Sequence, residues 1–391
     1  MSNSQPSIDK IISSKTSADY STSNLNSAIK GTERYLFADA IRGIAAISVV
    51  MRHVFYGPFE SFLKPIFPSF LETLHIWGAA GVYAFFVLSG FVIAHSLRNN
   101  SLSSRAIGNF ILRRQIRLDP VYWAVLALTV ALSIIKFSPS EFGQSNPSIP
   151  NLVVNMFYLQ GLLNKEPLIG VAWTLCIEIQ FYLIFILLLL FGSKAPRLHP
   201  EFNVSKITVG LVFCLGIGAL ILKHCTFNSA YFISFWHYFA FGTLAYWGMQ
   251  RVISPKLFFA FVGLFVIDTC FSDPVSIYDF GSKHSLSIQA MVIGLLTATS
   301  LYYAGTHGLM SKWGKHPILQ YLGRISYSLY LIHGIVIMVL SKLFFPAAEA
   351  NPIMAIVWYI SVYVVSIGMA QLLYMVIEKP SMKFASKLKI S

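Results

Sequence analysis

Ala38-Asp39-Ala40-Ile41-Arg42-Gly43-Ile44-Ala45-Ala46-Ile47-Ser48-Val49-Val50-Met51-Arg52-His53 is an apolar, membrane-type run that nevertheless carries Arg42 and His53. Ionisable side chains are costly at membrane depth and mark a candidate functional site by default. The eleven positions between the two are three helical turns plus about 20°, so both project from one face, about 16 Å apart along the axis. Asp39 stands three residues before Arg42, the spacing of a local ion pair that would lower the cost of burying the guanidinium.

Other runs of this kind fill the chain. Its 391 residues are 55% hydrophobic and only 12% charged, with a mean hydropathy of +0.64, against about 25% charged in an ordinary soluble domain. Uninterrupted apolar runs near 20 residues imply an all-α polytopic membrane protein; a transmembrane barrel would show short alternating segments. We expect about ten transmembrane helices, near 37–56, 77–97, 119–137, 171–191, 206–223, 229–248, 257–272, 286–304, 325–345 and 353–377. The run 149–163 is apolar but short, and contains Asn151, Asn155 and Gln160. It is expected as one re-entrant or interfacial helix.

Residues 1–34, rich in Ser, Asn, Thr and Lys, are expected to form a disordered tail. Residues 35–380 read as one membrane domain and 381–391 as a basic tail. No internal repeat is evident, which weakens a secondary-transporter reading.

The net charge is +13. Its bases fall in membrane-flanking loops rather than in one patch, which argues against nucleic acid as a partner. With the N-terminus inside, Arg98, Arg105, Arg113, Arg114, Arg117, Lys194, Arg197 and the C-terminal lysines share one side. That asymmetry predicts that both termini are cytoplasmic. Cys176, Cys214, Cys225 and Cys270 form no CxxC pair, so neither a disulfide framework nor a zinc or other metal site is expected.

Three groups of residues are candidates for chemistry. The His53 imidazole can take a hydroxyl proton and return it, or simply bond a neighbouring helix. Arg113-Arg114-Gln115-Ile116-Arg117 puts Arg114 and Arg117 on one helix face, where two guanidiniums can fork onto phosphate or serve only positive-inside sorting. Glu178, at the start of an otherwise apolar span, needs a cationic or imidazole partner. The functional version has it orienting His53 near the outer leaflet, as a carboxylate does in many hydrolytic sites. Ser89 beside Gly90 signals close helix packing. Tyr330 and His333 share a face by their i, i+3 spacing, as polar lining or as ordinary interhelical hydrogen bonders. Pro380 is expected to stop the last span.

The ordered set of motifs resembles the acyltransferase-3 family of integral membrane acyltransferases. Asp39-Ala40-Ile41-Arg42-Gly43 with His53 is similar to its opening D-x-x-R-G and R-x(10)-H pattern, and Phe85–Phe91 to its F-F-V-L/I-S-G-F segment. Arg113–Arg117 with Pro120, Tyr122 and Trp123 resembles its R-R-x-x-R stretch, and Trp173–Tyr182 its W-S-L-x-[VI]-E-x-Q-F-Y stretch. Tyr327–His333 and Glu378-Lys379-Pro380 resemble its last two motifs.

The resemblance implies ten core spans in the plasma membrane, an acyl-CoA donor (usually acetyl-CoA) used from the cytoplasmic side, and a hydroxyl acceptor. That acceptor is usually a carbohydrate or lipid-linked glycan such as O-antigen or exopolysaccharide, and in some members a macrolide or other small molecule. It implies His53, Arg42 and Glu178 as the catalytic set and Arg114, Arg117 and Arg113 on the donor, with Asp39, Ser89, Tyr122, Trp173, Tyr330 and His333 as further lining. Ile179 and Ile332 depart from a frequent second Glu and a frequent Trp. No hydrolase-like domain is expected after the last span, so the chain is expected to resemble the stand-alone members. A proton-coupled transporter or flippase is the competing class, since the same buried charges can form a proton pathway.

Overall fold

The computed structural model describes residues 35–98, 102–135, 148–199, 202–222, 231–271 and 287–387. The expected tail 1–34 and Cys225 lie outside the described residues. The helices in chain order are α1 (Leu36–Phe55), α2 (Ser69–Ser96), α3 (Ser104–Ile134), α4 (Ile149–Met156) and α5 (Gly170–Gly192). Strands β1 (Arg197–His199) and β2 (Phe202–Ser205) then form an antiparallel hairpin. After it come α6 (Lys206–Leu222), α7 (Trp236–Met249), α8 (Pro255–Phe271), α9 (Ile288–Thr306), α10 (Pro317–Ala350) and α11 (Ile353–Lys387).

Each expected span falls on a helix, but the helices differ in reach. Among the described residues, six are long and apolar enough to cross a membrane: α2, α3, α5, α9, α10 and α11. Helices α6 and α8 have 17 residues and α7 has 14, about 21–26 Å against a hydrocarbon core of about 30 Å. Helix α1 has 20 residues but carries Asp39, Arg42 and Arg52. Helix α4, at 8 residues, spans only about 12 Å. It turns Ile149 and Val153 outward. Asn155 points inward, its Nδ2 donating to the Asn151 carbonyl at 2.9 Å and its Oδ1 accepting from the Leu168 N–H at 3.0 Å.

Two sequence expectations are corrected, and both corrections matter for the site. Helix α3 begins at Ser104, not near 119. Ser103 caps it by accepting from the Ala106 N–H at 3.3 Å, so Arg114 and Arg117 lie inside a 31-residue helix and not at its edge. Pro380 does not end α11. Proline lacks an N–H and clashes with the carbonyl four residues back. Here Tyr374–Glu378 form a π-turn in which the Lys379 N–H reaches the Tyr374 carbonyl, five residues back. The wider turn accommodates the proline, and the helix continues to Lys387.

The apolar side chains gather in two cores. One centres on α2, α5 and α7 and includes Phe86, Phe181 and Phe239; the other joins α1, α10 and α11 through Val50, Leu329 and Val362. Helix α7 is buried on every side from Trp236 to Gly248, as befits a helix apolar all round. Glycines let backbones touch at two crossings. A Cβ on Gly43 would stand 2.7 Å from the Gly323 nitrogen, locking α1 to α10. Gly90 and Gly242 meet reciprocally where α2 crosses α7, each facing a carbonyl of the other helix.

Candidate active site

The seam between the two cores holds a cavity of about 100 Å³. Helix α1 contributes Arg42 to it, α2 Phe85 and Ser89, α3 Arg114 and Arg117, α5 Thr174 and Glu178, and α10 Tyr327 and Tyr330. Its charges come in opposed sets. Arg42 Nη1 donates to Asp39 Oδ1 at 2.9 Å. Arg114 Nη2 lies 3.6 Å from Glu178 Oε1, and the Tyr182 hydroxyl bridges Arg114 and Glu178. Ser89 donates to the same Glu178 oxygen at 2.7 Å. Glu378 and Glu178 also act on Arg117, though less strongly than the like charges of Arg114 and Arg42. Opposed charges of this kind offset the desolvation that burial imposes on each.

A second, wider chamber of about 490 Å³ adjoins the first, and Arg114 and Arg117 line both. Its remaining wall comes from His95, Ser96 and Arg98 on α2, Phe110 and Arg113 on α3, and Met382, Ala385 and Ser386 at the end of α11. Arg98 donates to the His95 ring at 2.7 Å. Among the described residues no carboxylate lines this chamber.

His53 does not line the cavity; it is exposed on α1. Its Nδ1 lies 2.9 Å from the Val49 carbonyl. A carbonyl only accepts, so Nδ1 carries the proton and the neutral ring presents Nε2 as its acceptor. The His53 ring lies 5.1 Å from the ring of His333, itself 6.0 Å from that of Tyr330. His333 repeats the arrangement, with Nδ1 3.2 Å from the Leu329 carbonyl, and its Nε2 is buried with no hydrogen-bond partner among the described residues. The Tyr330 hydroxyl meets Thr174 Oγ1 at 3.0 Å in the cavity wall. Aromatic rings therefore lead from the cavity to His53.

The expected partnership of Glu178 with His53 is replaced by the Glu178–Arg114 pair. The reason is the early start of α3, which brings Arg114 to the level of Glu178. Tyr122 and Trp173 also stand away from the cavity. Tyr122 is buried, donating to the Asn155 carbonyl at 2.9 Å, and Trp173 packs against Phe235 with ring centroids 5.5 Å apart.

Comparison with known proteins decides the family. A family model described as an acyltransferase domain, Acyl_transf_3, matches residues 35–375. The chain belongs to the acyltransferase-3 family. Two relatives match over shorter stretches. "Protein 2 in picA locus" of Rhizobium radiobacter is 36% identical over 107 residues, covering 26% of this chain and 47% of that protein. An uncharacterized protein of Haemophilus influenzae is 32% identical over 161 residues, covering 38% of this chain and 60% of that protein. The chain thus spans roughly half the length of these curated relatives. No solved structure matches it.

In this acyltransferase Glu378, which the sequence placed in a terminal motif without a site role, is only 2% exposed and accepts from Ser328 Oγ at 2.6 Å, within electrostatic reach of Arg117 and Arg42. A usable signal existed: a carboxylate closing an apolar run calls for a buried partner as much as Glu178 does. Reading Pro380 as a stop concealed it. The wider chamber is also walled by Arg98, read from sequence only as flanking charge, and by His95, which the sequence analysis did not single out.

Proposed function

We propose that this membrane acyltransferase moves an acyl group, acetyl in the first instance, from acyl-CoA to a hydroxyl of a carbohydrate such as O-antigen or exopolysaccharide. The observation that carries this reading is the pair of adjoining chambers with Arg114 and Arg117 in their shared wall. A wide basic chamber next to a narrow polar one suits a donor that is bulky and anionic at one end and slender and neutral at the other. The Lys and Arg asymmetry favours the wide chamber facing the cytoplasm, with both termini on that side of the plasma membrane.

In this mechanism the acceptor oxygen attacks the thioester carbonyl carbon while His53 Nε2 takes its proton. The carbon–sulfur bond then breaks, and the CoA thiolate takes the proton back from His53. The oxyanion donor is drawn from the tyrosines of the cavity, of which Tyr330 is joined to His53 through the His333 ring. Glu178 acts on Arg114, and the Val49 carbonyl holds the His53 tautomer.

The test is to purify the protein, supply labelled acetyl-CoA with candidate glycans and macrolides, and compare wild type with His53→Ala. Transfer by wild type and its loss in the variant are expected. Wild-type turnover in His53→Ala overturns the role of His53. Proton-coupled solute flux without acyl-CoA binding replaces the enzyme by a transporter.

A further inference from the structure

The narrow cavity is charged at one end and apolar at the other. Ser89, Arg114 and Glu178 meet at the charged end. One turn away along α2 and α5 stand Phe85 and Thr174, where α10 brings up Tyr330. Phe85 packs edge-on against the Tyr330 ring at 5.5 Å. The Tyr330 hydroxyl meets Thr174 Oγ1 at 3.0 Å and donates to the Val171 carbonyl at 3.2 Å. Val82, a further turn beyond Phe85, and Leu175 complete this end. Among the described residues no ionised side chain lines it. The rings that lead to His53 also start here, so an acyl group would meet its acceptor at this end.

Volume limits what that acyl group can be. A water-sized group takes about 10–15 Å³, so a cavity of about 100 Å³ admits roughly seven to ten heavy atoms. An acetyl thioester, counted back through its sulfur to the amide nitrogen of the arm, uses about seven, and a hexanoyl thioester about eleven. We infer that the Phe85 ring closes the acyl end of the cavity and restricts the donor to short acyl groups. Phe86 lines the cavity too, but its ring is fixed against Phe181 and Phe235 at 5.5 and 5.1 Å and belongs to the core. Phe85 instead rests on Tyr330, which its hydrogen bonds hold in place. The segment Phe85–Phe91 therefore carries a specificity residue one turn ahead of its small pair, Ser89 and Gly90. This rests on the acyl-CoA donor proposed above and adds to it the residue that measures the acyl chain.

The test is a binding series with acetyl-, butyryl- and hexanoyl-CoA, read by calorimetry on the full-length protein in nanodiscs, which needs no acceptor. Wild type should bind hexanoyl-CoA at least about tenfold more weakly than acetyl-CoA, since even one misfitting methylene in a pocket is worth about 10–200-fold. Phe85→Ala removes a ring larger than the added carbons. It should bring hexanoyl-CoA to at least the affinity of acetyl-CoA. Phe85→Leu should go part of the way, and it serves where the alanine variant fails to fold.

The wild-type series itself depends on no variant. The inference is overturned if wild type binds hexanoyl-CoA as tightly as acetyl-CoA, or if Phe85→Ala or Phe85→Leu keeps the wild-type preference. In either case binding of acetyl-CoA leaves the donor proposal standing. If wild type binds neither CoA itself nor any of the three thioesters, the donor proposal falls and this inference with it.

Discussion

Glu178 Oε1 lies 3.6 Å from Arg114 Nη2, with Ser89 and Tyr182 bonded to the same carboxylate oxygen. Three helices, α2, α3 and α5, are thereby tied together at one oxygen. Ala at position 178 would leave Arg114 buried without its acid. A double-mutant cycle with Glu178→Ala and Arg114→Ala, read by thermal unfolding in detergent, should return a coupling of roughly 1–3 kcal/mol. Additive effects would show that the two do not act as a pair.

Glu378→Ala should destabilise the protein by roughly 1–3 kcal/mol, because it removes the acceptor of Ser328 Oγ and a negative charge near Arg117. Glu378→Gln keeps an acceptor for Ser328 and should cost less. Equal unfolding temperatures for the two variants would remove the hydrogen bond to Ser328 from the explanation and leave the lost charge, common to both.

His53 offers a spectroscopic check. With Nδ1–H donating to the Val49 carbonyl, nitrogen-15 shifts of the neutral ring should report the Nδ1–H tautomer. His53→Gln keeps a polar group near the Nε2 position but is no base. Acyl transfer should fall about 10²–10⁴-fold with donor affinity retained. The opposite tautomer in the wild-type spectrum would remove the derivation of Nε2 as base.

Gly43→Ala should cost about 1–3 kcal/mol, since the new Cβ would press on the Gly323 backbone 2.7 Å away and neither main chain can yield. Gly368→Ala, on α11 with nothing within 4 Å of the added Cβ, should be neutral or stabilising by up to about 1 kcal/mol. Equal melting temperatures would contradict the close α1–α10 contact.

Much of this was legible in the sequence because apolarity and period are local properties. Every expected span lies on a helix, and the residues Arg42, Arg114, Arg117, Glu178, Ser89 and Tyr330 do meet around one cavity. What escaped were relations between elements. That Arg114 and not His53 receives Glu178 depends on where α3 begins, which a polar start at Ser103 disguised because hydropathy rises only from Leu118 onward. That Glu378 is buried depends on a π-turn, for which the residues Tyr374–Glu378 carry no pattern. Length misled in the other direction: α7 has the composition of a span and only 14 residues, being apolar because protein surrounds it.

The π-turn has one more effect. A surplus residue in a helix rotates everything beyond it by about 100° relative to an unbroken α-helix. Met382, Ala385 and Ser386 owe their place on the wall of the wide chamber to that added angle. Removing one residue between Tyr374 and Glu378 would leave α11 continuous and nearly as long, yet would swing Ala385 and Ser386 away from Arg98 and Arg113. Helix α11 therefore behaves as a keyed shaft: the turn that buries Glu378 also sets the rotational phase of the chamber wall two turns further on.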